Sequence, residues 1–215
     1  MKKIQNYSFL LSIIFLSITF RMPHIYVSGG DSWGMATYIA SLNEYGYLSW
    51  LLNPMSYIGL FPYSYPSGGI VFVASFSQLT GLNTLQNIAL YSILMSVLGI
   101  LAVFILLREI HSNDKLILLS VAFYSTYIWF VVNTWNRIGM RSLFVVLYPL
   151  GLFILLRLES TKYSRTSLYF TGLVLSLLLA IIHRLFLFYG FLVLLPFALI
   201  KFVYLINRTF RIDLI

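Results

Sequence analysis

The stretch that decides how this chain is organised runs from His24 to Gly69 and reads HIYVSGGDSWGMATYIASLNEYGYLSWLLNPMSYIGLFPYSYPSGG. It is the only long segment that is not simply apolar, and it follows directly on the first hydrophobic run. It carries two acidic residues, Asp31 and Glu44, together with turn-forming Gly-Gly and Tyr-Pro-Ser-Gly-Gly sequences. We therefore predict a large solvent-exposed loop between a first hydrophobic helix and the rest of the chain. We expect any catalytic or binding site to lie in this loop.

The composition around this loop is that of a membrane protein. Hydrophobic residues make up 60% of the chain and charged residues 9%, whereas soluble domains carry about 25% charged residues. Mean hydropathy is +0.90. The net charge of +8 comes from basic residues at the ends of apolar runs, which is a topology signal rather than a nucleic-acid surface. The absence of cysteine excludes disulfides and thiolate chemistry.

The fold class predicted is all-α, a polytopic bundle of about six spanning helices. The six apolar runs cover residues 7–20, 84–107, 116–133, 138–156, 167–182 and 185–206. A further run, 70–82, would extend only ~20 Å as a helix, which is short of a hydrocarbon core of ~30 Å. We expect it to lie at the membrane interface, within an external loop that covers 21–83.

The distribution of basic residues sets the orientation. If 70–82 stays outside and the N-terminus is cytoplasmic, ten Lys and Arg residues lie inside and four lie outside. If that run crosses, the count becomes five inside and nine outside. We therefore predict an integral protein of the cell membrane with a cytoplasmic N-terminus and an extracytoplasmic loop. The four outer cations are Arg21, Arg137, Arg141 and Arg184.

Several short motifs follow one another in and after the loop. They are Gly30-Asp31-Ser32-Trp33, Glu44-Tyr45-Gly46, Tyr65-Pro66-Ser67-Gly68 and Thr80-Gly81-Leu82-Asn83. Their order and the topology resemble those of the GT-C membrane glycosyltransferases. The resemblance runs through the whole chain but covers only the amino-terminal part of a usual member, which carries more helices. We therefore expect either a further carboxy-terminal portion or a partner subunit.

The resemblance implies inverting transfer of a sugar from a polyprenyl-phosphate donor to an acceptor at the outer membrane face. The family position of the general base corresponds to Asp31. Departing phosphate requires arginine donors, and topology alone suggests Arg137, Arg141 and Arg184 for that role. The further substrate-binding candidates in the outer region are Glu44, His183 and Tyr65.

Other interpretations of these residues remain open. Asp31 also suits the cap of a juxtamembrane helix, and the arginines suit contacts with lipid headgroups. Glu44 is thirteen positions further on, about 220° around a continuous helix, which fits a helix end better than a second catalytic carboxylate. No metal or cofactor is predicted, although Asp31 and Glu44 could hold a divalent cation with phosphate and water.

Two rival functions remain. One is a non-catalytic membrane subunit or truncated GT-C remnant, and the other is half of a transporter or flippase. Pro149 and Pro196 are expected to interrupt their helices, but charges in mid-helix are lacking, which counts against transport. We also expect the external loop to fold back on the bundle and to bury most of Trp50, Phe61, Tyr65 and Phe72 against the bundle or at the membrane interface, because its aromatic content is too high for a solvated linker.

Overall fold

The protein is described by a computed structural model that covers residues 2–22, 30–46, 68–135, 140–158 and 165–182, with the single positions 186, 190, 195 and 199. These ranges hold eight α-helices and no strand, so the all-α prediction is confirmed. The helices are α1 (Lys2–Arg21), α2 (Gly30–Tyr45), α3 (Gly68–Thr80), α4 (Thr84–Ile110), α5 (Asp114–Thr126), α6 (Ile128–Thr134), α7 (Met140–Arg157) and α8 (Arg165–Ile182). Of the predicted run 185–206, only the single positions 186, 190, 195 and 199 are described.

The helices differ in whether they are long and apolar enough to cross a bilayer. In the described part of the chain, α4 is the one helix that is long and apolar enough by itself to cross a bilayer. Its 27 residues extend about 40 Å. Helices α5 and α6 pass the same test only together, as a pair bent by 56°, while α1, α3 and α8 contain shorter apolar stretches.

Helix α4 is the centre of the bundle. It packs most extensively against α7 and also contacts α1, α3, α5 and α6. Its buried face includes Ser92, Ser96 and Gly99, and small residues of this kind let neighbouring helices approach closely. The Oγ atoms of Ser17 and Ser96 are 2.7 Å apart, which fixes the register of α1 on α4.

Two polar contacts define one end of the bundle, which we call the Asp114 end. Asn6 Nδ2 donates to Asp114 Oδ2 at 2.7 Å, and Arg157 Nε lies 2.7 Å from Glu109 Oε2. The starts of α1 and α5 therefore meet the ends of α4 and α7. It follows that α1 and α5 run in one direction and α4 and α7 in the other. We call the opposite end, where α6 finishes, the Thr134 end.

The connection between α3 and α4 is a tight helical hairpin at the Thr134 end. Gly81 has a φ of +68°, which glycine adopts readily because it has no Cβ atom. Its N–H donates to the Ser77 carbonyl at 2.9 Å. Asn83 caps α4 through a reciprocal pair of hydrogen bonds with Gln86. The Phe72 and Tyr91 rings stand 6.1 Å apart, so α3 runs back along the first turns of α4.

A buried amide locks this hairpin. Asn87 is fully buried, and its Nδ2 donates to Ser77 Oγ at 2.9 Å and to the Leu82 carbonyl at 2.7 Å. Its Oδ1 accepts from Thr80 Oγ1 at 3.1 Å. The Thr80–Asn83 motif is thus engaged in ending one helix and starting the next.

The run 116–133, predicted as one helix, is broken at Tyr127, whose ψ of 129° is extended. Ser125 Oγ donates to the Ala122 carbonyl at 2.7 Å, and Thr126 Oγ1 donates to the Ala122 and Phe123 carbonyls at 3.2 and 3.1 Å. Hydroxyls that bond to the preceding turn in this way bend helices.

Helix α7 also differs from the prediction, because it is continuous where an interruption is expected. Pro149 was expected to interrupt its helix, but α7 continues through it, so that expectation is wrong. Pro196 lies outside the described residues.

The predicted external loop does contain helices that pack on the bundle. Helix α2 packs against α3 and α4 and buries Met35, Tyr38 and Ile39 among others. Of the four aromatic residues expected to be buried, Phe72 is 41% exposed while its ring contacts Tyr91. Trp50, Phe61 and Tyr65 lie outside the described residues.

Candidate anion site at the end of the first helix

The last residue of α1 carries a buried positive charge. Arg21 is only 2% exposed. Its Nε and Nη2 donate to Thr134 Oγ1 at 3.1 and 2.7 Å, and its Nη1 donates to the Ser17 carbonyl and Oγ at 2.9 and 2.6 Å. All of these acceptors are neutral. Among the described side chains no carboxylate reaches the guanidinium, so its charge is solvated by hydroxyls and one carbonyl but not neutralised.

The donor count leaves room for another ligand. A guanidinium has five N–H groups, and the four contacts above leave one N–H on Nη2 without an acceptor in the described part of the chain. Taking an ion out of water without an opposite charge is costly. An anion at Arg21 would offset that cost.

An aromatic ring forms the floor of the site. Arg21 Cζ lies 5.3 Å from the centroid of the Phe130 ring, a geometry that is worth about 0.5–2 kcal/mol. A Cβ on Gly99 would lie 2.6 Å from Phe130 Cε2 and 2.9 Å from Cζ. The ring therefore reaches its position because α4 has glycine there, and the Tyr124 ring packs against it with the two centroids 4.4 Å apart.

The hydroxyls around Arg21 are oriented by their own hydrogen bonds. Thr134 Oγ1 donates to the Phe130 carbonyl at 2.7 Å, so its lone pairs remain for the guanidinium. Ser17 Oγ accepts from Arg21 and lies 2.7 Å from Ser96 Oγ, which can take its proton. These hydroxyls are thus already oriented to accept hydrogen bonds from the Arg21 guanidinium before any ligand binds.

A cavity of about 400 Å³ opens beside the guanidinium, between α1 and the broken helix α5–α6. Its walls are mainly apolar. They include Leu16, Phe20, Ala122, Val131 and Trp135. The α1 members follow the three- and four-residue spacing of one helix face, so a continuous apolar stripe leads to Arg21.

The two predicted carboxylates do not form a pair. Helix α2 is continuous from Gly30 to Tyr45, which separates the backbones of Asp31 and Glu44 by about 20 Å along its axis. A divalent cation held by both carboxylates is therefore ruled out by their spacing. The Asp31 backbone lies in the first turn of α2, while its side chain is outside the described atoms.

Glu44 lies in the last turn of α2 and is exposed, as a helix-end residue would be. Its carboxylate raises the pKa of the neighbouring Tyr45 hydroxyl, first by accepting its hydrogen bond and then through its negative charge. In the described residues, no group of three or more His, Asp and Glu could hold a metal ion.

The predicted arginines have different positions. Arg141 lies in the first turn of α7 and is exposed. The remaining candidates, Arg137, Arg184, His183 and Tyr65, lie outside the described residues. The sequence indicates Arg21 only as a topology charge, yet among the described arginines it is the buried one. The available signal was its position directly after an apolar run, and the direction of its side chain depends on packing.

Comparison with protein-family models, curated proteins and solved structures finds no match to this chain. The function therefore has to be argued from the residues and the geometry above.

Proposed function

We propose that this chain is an integral membrane glycosyltransferase of the GT-C kind, which uses a polyprenyl-phosphate-linked sugar donor at the outer membrane face. The observation that carries the proposal is Arg21, a buried cation with no described carboxylate beside it. It ends α1, ten residues before Asp31. A cation held ready in an apolar setting suits a departing phosphate.

The proposed membrane arrangement has six spans, formed by α1, α4, the pair α5–α6, α7, α8 and the run 185–206. The alternating directions of α1, α4, α5 and α7 support it, as does the ten-to-four distribution of basic residues. The Asp114 end is then cytoplasmic and the Thr134 end is outside. Helices α2 and α3 belong to the external segment.

In the proposed reaction, Asp31 accepts the proton of the acceptor hydroxyl or amide as the acceptor attacks the anomeric carbon. The bond from that carbon to the phosphate oxygen breaks on the opposite face, so the configuration inverts. Arg21 stabilises the charge that develops on the leaving phosphate, and Arg137, Arg141 and Arg184 are further candidates. Glu44, His183 and Tyr65 are proposed to contact the substrates.

The test is transfer of labelled sugar from a polyprenyl-phosphate donor, in membranes that contain the chain and any carboxy-terminal continuation or partner. Asp31→Asn should lower the rate by about 10²–10⁴-fold, because a positioned base contributes that much. Asp114→Asn is the matched control, since this acid lies at the other end of the bundle, and it should keep the wild-type rate. Wild-type transfer by Asp31→Asn would eliminate the proposal.

A lipid-binding role without catalysis is the second candidate, and the same cavity favours it because it requires only Arg21 and apolar walls. It would describe a non-catalytic subunit, or a flippase half that uses the broken helix α5–α6, since interrupted helices are common in transporters. Lipid binding with no sugar transfer from any preparation would favour this candidate.

A further inference from the structure

We infer that helix α3 is a half-membrane helix, which stands against α4 and enters the outer leaflet of the bilayer, with Val71 and Phe72 against the lipid acyl chains. The inference rests on the proposed function only for its membrane setting, in which the Thr134 end is outside. It differs from the sequence expectation for residues 70–82, which places this run at the membrane interface.

Helix α4 provides the depth scale. It has 27 residues and is about 40 Å long, whereas the hydrocarbon core of a bilayer is ~30 Å thick. Its last turn carries Arg108 and Glu109, and Glu109 meets Arg157 at the end of α7. These charges mark the inner boundary of the core. Counting back about 20 residues places the outer boundary near Asn87.

Helix α3 is held against α4 along its whole length. Close to the hairpin, Asn87 Nδ2 donates to Ser77 Oγ at 2.9 Å. Further along, the Phe72 and Tyr91 rings are 6.1 Å apart. Ile70, in the first turn of α3, belongs to the same buried cluster as Tyr91. A helix lying flat at the interface would diverge from α4 after the hairpin, because α4 crosses the membrane.

These contacts fix how far α3 descends. Tyr91 lies four residues beyond Asn87, about 6 Å into the core, and the Phe72 ring lies beside it. Gly68 begins α3 four residues before Phe72, about 6 Å deeper again. The first residue of α3 therefore lies about 12 Å below the outer boundary, whereas the bilayer midplane is at ~15 Å.

The side chains of α3 match this descent. The face towards the bundle is buried at the spacing of one helix side and comprises Ile70, Val73, Ala74 and Ser77. Elsewhere, the deep end exposes Val71 and Phe72, while the hairpin end exposes Gln78, Leu79 and Thr80. An interfacial helix carries its polar groups along one whole side, whereas here polarity changes along the axis. The apolar pair gains from leaving water, and acyl chains are what surrounds it at this depth.

The experiment measures depth with one nitroxide spin label at a time on the full chain, which has no cysteine of its own, in phosphatidylcholine vesicles. Collision rates with oxygen, which concentrates among acyl chains, and with a neutral nickel chelate, which stays in water, give the depth of each label. Labels on cysteines at positions Phe72 and Leu79 should differ in depth by about 10 Å, because seven residues of an upright helix separate them.

Exposed positions on α4 serve as the ruler. Labels at Leu85, Leu90 and Leu98, all of them exposed, should lie progressively deeper. The label at Phe72 should match that at Leu90, and the label at Leu79 should match that at Leu85. Equal depths at Phe72 and Leu79 would show that α3 lies flat. Nickel collisions as frequent at Phe72 as at Leu79 would show a water-filled cleft, and either result would overturn the inference.

A second position guards against a disturbed contact. The Phe72 ring contacts Tyr91, whereas the neighbouring Val71 is the more exposed of the two α3 residues. If labelling at Phe72 lowers the helical circular dichroism, the label at Val71 decides the matter. It should lie about 12 Å deeper than the label at Leu79, and a label at Val71 level with Leu79 would overturn the inference.

Failure of the inference can be told from failure of the proposed function. A label at Leu98 that lies in water would remove the membrane setting and both proposals with it. A label at Leu98 among the acyl chains, with α3 flat, would overturn the inference alone. A descending α3 in a preparation that transfers no sugar would leave the half-membrane helix standing and remove the glycosyltransferase.

Discussion

Replacing Gly99 by alanine should disturb the floor of the Arg21 site. The added Cβ would lie 2.6 and 2.9 Å from two atoms of the Phe130 ring and 3.3 Å from Val146 Cγ2. Carbon atoms in ordinary contact are about 3.5–4.0 Å apart, so the ring must move by about 1 Å. Phe130 is only 1% exposed, and there is little room for that movement.

The magnitude follows from two opposing effects. Alanine favours the helix over glycine by up to about 1 kcal/mol, whereas overpacking a buried site costs about 1–3 kcal/mol. We expect a net loss of up to about 2 kcal/mol in the free energy of unfolding. Because the Arg21 guanidinium rests on this ring, binding of lipid phosphate should weaken as well.

Thermal unfolding of the purified chain in detergent measures the effect. The control is Gly34→Ala, since a Cβ on Gly34, also within a helix, meets nothing within 4 Å; it should be neutral or slightly stabilising. Adding Phe130→Leu to Gly99→Ala should recover part of the loss, as residues in contact show coupled effects. If Gly99→Ala proves as stable as Gly34→Ala, or the double variant shows no coupling, the packing argument is refuted.

Three further predictions concern the rest of the bundle. Asn87→Ala should lower the free energy of unfolding by about 1–3 kcal/mol, because buried partners lose their hydrogen bonds; an unchanged melting temperature would contradict this. A cysteine in place of Leu79, which is 85% exposed, should react with an impermeant thiol reagent outside intact cells, and one in place of Ser112 should not; the reverse pattern would refute the proposed orientation. Glu109→Gln should cost about 1 kcal/mol, since solvent still screens the ion pair although the Arg157 and Glu109 side chains are partly buried, at 21% and 24% exposed; a loss twice as large would show that the pair is structurally essential.

Helix positions were largely readable from the sequence. The predicted runs 84–107, 138–156 and 167–182 correspond to Thr84–Ile110, Met140–Arg157 and Arg165–Ile182. Apolar content and run length are local properties, and a buried or membrane-spanning helix needs little else. The sequence also indicates the helical hairpin at 80–83, by a glycine followed by an N-capping asparagine.

The break at Tyr127 was missed because no glycine or proline marks it. The signal was the pair Ser125-Thr126 within an apolar run, whose hydroxyls bond to the preceding turn. The continuity of α7 through Pro149 was missed for the opposite reason, since a residue that usually disturbs a helix lies here within a continuous one. Local hydrogen bonds account for the first case, and local preference did not decide the second.

By itself the sequence determined that Arg21 is a lone cation at the end of an apolar run, followed by an acidic, turn-rich segment. Only the tertiary structure decided that its guanidinium turns inward, onto the hydroxyl of Thr134, 113 residues further along the chain. The physical reason is that a helix presents a side chain in a direction set by its own geometry, while the partner depends on which helix packs there. That partner, the ring of Phe130 and the glycine that admits it come from α6 and α4, and no local pattern in α1 could have named them.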